Sequence, residues 1–63
     1  MFAPQHHRTL KDIARADGLL ARLKYHYSHH DPRGRWFYRN GREAARIQQM
    51  PTGRVRIDFG VSA

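Results

Sequence analysis

The chain has no cysteine, so neither a disulfide framework nor a thiolate metal site can reinforce it. Acids are scarce as well. Five Asp and Glu stand against twelve Lys and Arg, a formal charge of +7, with five histidines in reserve. Those acids are scattered, which leaves no carboxylate pair suited to general acid–base work. No apolar run approaches the roughly 20 residues of a membrane span, and nothing reads as a secretory signal. A cytoplasmic protein without membrane association is therefore expected. No glycine-rich phosphate loop is present, because Gly34, Gly41, Gly53 and Gly60 each stand at a turn or chain end. These absences argue against an enzyme, and no cofactor is expected.

At 63 residues the chain reads as a single small domain. A chain of this size buries only about 60% of its unfolded surface, so a homodimer is one inexpensive source of extra burial. Ten of the twelve cations are arginine. Lysine would serve solubility equally well, whereas the planar guanidinium suits phosphates and base edges and stacks on rings.

Residues Met1–His7 carry Pro4 and mixed polarity and read as a frayed tail. A helix is expected over residues 8–24, with Thr9 as N-cap and Asp12 in the first turn. Ile13, Ala16, Leu20, Leu23 and Tyr27 fall on one helical stripe. Strand-like alternation from Leu19 to Tyr27 offers a rival, in which Asp17-Gly18 ends a shorter helix. Asp31-Pro32-Arg33-Gly34, Asn40-Gly41 and Pro51-Thr52-Gly53 mark three turns.

Asn40-Gly41 has the composition of a two-residue type I′ hairpin loop. The register it implies puts Trp36, Tyr38, Glu43, Ala45 and Ile47 on one face. Arg35, Phe37, Arg39, Arg42, Ala44 and Arg46 fall on the other. The last strand sorts likewise, with Val55, Ile57, Phe59 and Val61 opposed to Arg54, Arg56 and Asp58. High helix propensity across Arg42–Met50 keeps a strand–helix–strand order as the alternative. The expected fold is α+β: an N-terminal helix packed on a three-stranded antiparallel meander, with Tyr25–His29 as a candidate fourth strand. Its expected core is Trp36, Tyr38, Ile47, Val55, Ile57 and Phe59 with Ile13, Leu20 and Leu23. Like charges packed across strands destabilise a sheet, so an arginine face makes most sense if a polyanion relieves the repulsion.

His26, His29 and His30 would share a face at metal-ligand spacing if they were helical. Without cysteine or a second ligand cluster no metal is expected, and they read as polar residues near a turn. A helix ending in Asp17-Gly18, followed by Ser28-His29-His30, resembles the HicA-type mRNA interferases. There a helix leads into a strand ending in Gly-Ser-His-His, and the histidine cleaves RNA. Tyr27 stands in place of that glycine, and no C-terminal helix is read before the last residue.

Three functional classes follow. The leading one is a small non-catalytic regulator that binds DNA or RNA through Arg35, Phe37, Arg39, Arg42, Arg46, Arg54 and Arg56. The second is an inhibitor of the kind phages and plasmids encode, docking the arginine face on an acidic protein surface. The third, implied by the resemblance, is an RNase toxin.

Overall fold

The computed structural model describes residues 1–62. Its elements follow the order β1 (Phe2–Leu10), α1 (Ile13–Arg22), β2 (His26–His30), β3 (Trp36–Asn40), β4 (Glu43–Gln49) and β5 (Val55–Ser62). The strands make one antiparallel sheet of five, ordered β1-β5-β4-β3-β2, and the helix packs on one side of it against β1, β4 and β5. The α+β class and the β3-β4-β5 meander match the sequence reading, and the candidate fourth strand is β2. The helix is not N-terminal, because the stretch read as a tail forms β1 and pairs with β5 along its length.

That strand also displaces the helix start. Thr9 is taken up opposite Arg56 in the ladder, so the cap falls to Asp12, whose Oδ1 accepts the Arg15 backbone N–H at 2.9 Å. The helix runs through Gly18 rather than stopping there. It ends where Tyr25 N–H reaches Leu20 O at 2.9 Å and Lys24 N–H reaches Ala21 O at 3.1 Å. These are the paired bonds of a Schellman motif, which places Lys24 at the left-handed position with φ +67°. A non-glycine residue there costs about 1–2 kcal/mol, of which glycine's greater unfolded freedom returns roughly 0.5–1. Lys24→Gly is therefore expected to stabilise the fold by about 0.5–1 kcal/mol. Urea unfolding checks this, and an unchanged midpoint would contradict the cap.

The hairpin loop consists of Gly41 and Arg42, since Asn40 pairs with Glu43. Only Gly41 among these residues has positive φ, +63°, which is the type II′ pattern rather than I′. Asn40 is held back in the strand by its side chain, whose Nδ2 donates to Leu23 O at 3.1 Å. The observed register thus differs from the expected one by two residues, pairing Phe37 with Arg46 and Trp36 with Ile47. A slip of two keeps every side chain that stays in the ladder on its face, and so the sorting survives the error except for Arg42, which passes into the loop.

The core lies between helix and sheet: Ala16 and Leu20 against Tyr38, Ala45, Ile47, Val55, Ile57 and Phe59. Leu20, Ile47, Ile57 and Val55 are fully buried, and burying each such side chain is worth roughly 1.5–3 kcal/mol. Ile13 and Leu23, expected in the core, are 38% and 45% exposed, and Trp36 is only half-buried. The physical reason is helix placement. A ten-residue helix seated over β1, β4 and β5 reaches β3 chiefly at Tyr38 and leaves the outer strand β2 exposed. Tyr38 ties the two layers, its hydroxyl donating to Asp17 Oδ1 at 2.9 Å. Burial, and then the Asp17 carboxylate, push its phenol up to about 12.

Candidate functional site

Among the described residues no helix covers the side of the sheet away from α1. Its central row runs across all five strands through His7, Asp58, Arg46, Phe37 and His29, each the cross-strand partner of the next. Rings and guanidinium groups stand along this row as plates. His29 lies parallel to Phe37, with centroids 4.8 Å apart and planes 7° from parallel. Arg35 approaches the Phe37 ring at 6.0 Å.

Phe2 reaches the same cluster from the far edge. Two strands separate β1 from β3, and three strand spacings of about 4.8 Å would hold them roughly 14 Å apart. Yet Phe2 meets Phe37 edge-on at 6.0 Å and lies under the Arg46 guanidinium at 5.1 Å. The start of β1 must therefore lean over the open face. Two features permit this. The ladder slips between Pro4 and His6, and β5 carries Gly60 opposite Pro4. A Cβ on Gly60 would stand 2.1 Å from the Ala3 carbonyl oxygen. Phe2, His29, Arg35, Phe37 and Arg46 consequently line one recess of about 390 Å³.

The electrostatics differ from the expectation of repelling arginines. Asp58 is buried at the centre of the face, and its Oδ2 accepts Arg46 Nε at 3.1 Å, Arg46 Nη2 at 2.8 Å and Gln48 Nε2 at 2.9 Å. Arg56 Nε stands 3.1 Å from Asp58 Oδ1 as an ion pair, without hydrogen-bond geometry. Asp31 accepts Arg35 Nε at 2.7 Å and the Arg33 and Arg35 backbone N–H groups at 3.1 and 3.0 Å. The Arg35 side chain, chiefly, holds the Asp31 carboxyl down to about 2. Two carboxylates thus neutralise much of the charge of Arg35, Arg46 and Arg56, and a polyanion is not needed to relieve the sheet.

Arg39 pairs with Ala44 on the open face and is exposed. Arg54 is exposed in the turn before β5, and Arg33 in the turn before β3. Among the described residues none of these three has an ion pair. Arg42 lies in the hairpin loop and leaves the face to which the expected register assigned it. Phe37, expected to stand exposed among cations, is half-buried between His29 and Phe2. Phe2, His29 and Asp58 are the members the sequence reading missed. The alternation of β5 did place Asp58 opposite the core, but nothing local ties it to Arg46, twelve positions away.

The histidines do not form the cluster that helical spacing would make. His26 faces Arg39, His29 faces Phe37, and His30 is opposite Trp36 with its Nδ1 3.2 Å from the Tyr27 hydroxyl. Among the described residues no group of three or more His, Cys, Asp or Glu is placed to hold a metal ion. No helix among them is long and apolar enough to cross a membrane. A larger recess of about 500 Å³ lies on the helix side, where His6 stacks on Phe59 at 5.1 Å beside Tyr25, Glu43 and Leu23. The chain matches no protein-family model, no curated protein and no solved structure. The chain region that resembles the HicA-type interferases departs from them where the helix continues past Asp17-Gly18.

Proposed function

We propose that the protein binds nucleic acid, without catalysis, through the open face of its sheet. The observation that carries this reading is the row Arg46–Phe37–His29, flanked by Phe2 and by the unpaired Arg39, on the side the helix leaves bare. Aromatic plates offer stacking surface to bases, and unpaired cations beside them offer contacts to phosphates. A protein that combines the two in so few residues suits a small regulator, one that occupies a strand rather than acting on it.

Internal pairing sets the magnitude. With Asp31 and Asp58 engaging three of the arginines, the exposed arginines without an ion pair include Arg39 on the face and Arg33 and Arg54 in the turns at one end of the strands. Three phosphates neutralised correspond to a slope of log affinity against log salt of about −3 on duplex and about −2 on a single strand. Arg39→Ala is expected to flatten that slope by about one unit and to weaken all sequences alike. Arg15→Ala, on the helix and already paired with Asp12, is expected to change little. Titrations of DNA and RNA at several salt concentrations decide the matter. Equal losses at Arg15 and Arg39 would indicate diffuse charge rather than a face. Absence of binding at low salt would reject the reading and favour an inhibitor that docks on an acidic protein surface.

A further inference from the structure

We infer that His29 is the outer plate of the stacking row and receives an unpaired nucleobase on its free ring face, so that the protein prefers single-stranded to duplex nucleic acid. This deepens the proposed function and rests on it. The first support is a bulge. Tyr27 pairs with Tyr38 on the helix side, and strict alternation would send His29 to that side as well. The register instead slips between Tyr27 and His29, which makes Ser28 the extra residue and turns His29 onto the open face opposite Phe37. A bulge gives up regular ladder pairing, and its usual effect is to re-aim a side chain. Here the re-aimed side chain is an imidazole that completes a row of plates.

The second support is the way the ring is held. Phe37 backs it at 4.8 Å, and Ser28 Oγ lies 3.0 Å from its Nδ1, so both tilt and rotation are constrained. A plate fixed in advance loses little freedom when a ligand stacks on it. The third is position. β2 is an edge strand of the sheet, no strand lies beyond His29 among the described residues, and the residue is exposed. A base stacked there would extend the row into the place that a side chain of a sixth strand would occupy. Arg39, opposite His26 on the same face, stands near enough along the sheet to meet the backbone of that nucleotide.

The preference for single strands follows from base geometry. In a duplex each base is covered by its neighbours, and only an unpaired base can offer a π-face to a protein ring. Phosphate contacts alone would favour the duplex, whose charge density is higher, so a preference for the single strand must come from the stack. The ligand chemistry is therefore an unpaired nucleobase carried on a phosphate backbone.

The test compares a labelled single strand with its own duplex, at one low salt concentration, for the wild-type protein, His29→Ala and His29→Phe. His29→Ala is expected to weaken single-strand binding by roughly tenfold or more, the scale of one lost base–ring stack. Duplex binding, which offers no base face, should weaken far less than single-strand binding, and His29→Phe should restore the single strand because it keeps a ring. The His29 ring protons should move upfield in the NMR spectrum when the single strand is added. Equal weakening of single strand and duplex in His29→Ala would overturn the stacking role and leave the interface standing. Unmoved ring resonances in a complex that forms would do the same. Failure of the wild-type protein to bind either form would remove the interface and the stack together. RNA cleavage by the wild-type protein that is lost in His29→Phe would make His29 a proton carrier, and that too overturns the inference.

Discussion

Gly60→Ala is expected to lower stability by about 2–3 kcal/mol, the upper range for forcing an extra methyl into a packed site. A chain of this length has roughly 3–9 kcal/mol in all, so the melting temperature should fall by roughly 10–20 °C. The methyl would meet the Ala3 carbonyl oxygen and the Pro4 Cα, both backbone atoms of β1, and no side chain can rotate to make room. Relief requires the start of β1 to lift from β5, and that withdraws Phe2 from Phe37 and Arg46. Hydrogen exchange should show the Phe2 and Ala3 region losing protection ahead of β4. A variant that melts like the parent with Phe2 still held would contradict the leaning strand.

Asp58→Ala is expected to cost about 3 kcal/mol, the low end of the penalty for removing one partner of a buried ion pair. The low end applies because the freed Arg46 and Arg56 side chains retain partial access to water, at 17% and 39% exposure. Gln48 would also lose its acceptor. In a double-mutant cycle, Asp58→Ala combined with Arg46→Ala should cost less than the two changes added, since neither group is then left without its partner. Strict additivity in thermal or urea melts would mean that the observed contacts contribute little. At a temperature where the Asp58 variant is still folded, its face gains one unit of net positive charge and leaves Arg46 and Arg56 without their carboxylate. Its affinity for nucleic acid should rise, a direction opposite to that of a merely damaged protein.

The parts of this molecule legible in its sequence share one property, which is that their causes are local. Asp31 with Gly34, and Gly41 after Asn40, announce turns because side-chain acceptors and positive φ act within a few residues. Alternation in β3, β4 and β5 sorted residues onto two faces, and even a register wrong by two residues left that sorting intact. What failed was whatever depended on a distant partner. β1 has no alternation and contains Pro4 and two adjacent histidines, so nothing in it reads as a strand until β5 is there to pair with it. The helix boundary moved because Thr9 was already committed to that ladder, and Ile13 and Leu23 left the core because the helix sits over β5 rather than over the whole sheet.

The candidate site divides along the same line. Once Glu43–Gln49 is a strand rather than the helix its propensity also allowed, the sequence alone determined that the meander would carry arginine and Phe37 on one face and its aliphatic residues on the other, because a period of two acts on each strand separately. Only the tertiary structure decided how charged that face is, because the pairing of Asp58 with Arg46 and Arg56 exists once β4 and β5 lie side by side. It alone brought Phe2 across the sheet, since this needed a slipped ladder and the missing Cβ of Gly60 to coincide in space. It alone turned His29 outward, because a bulge is a mismatch between two strands and neither strand records it by itself.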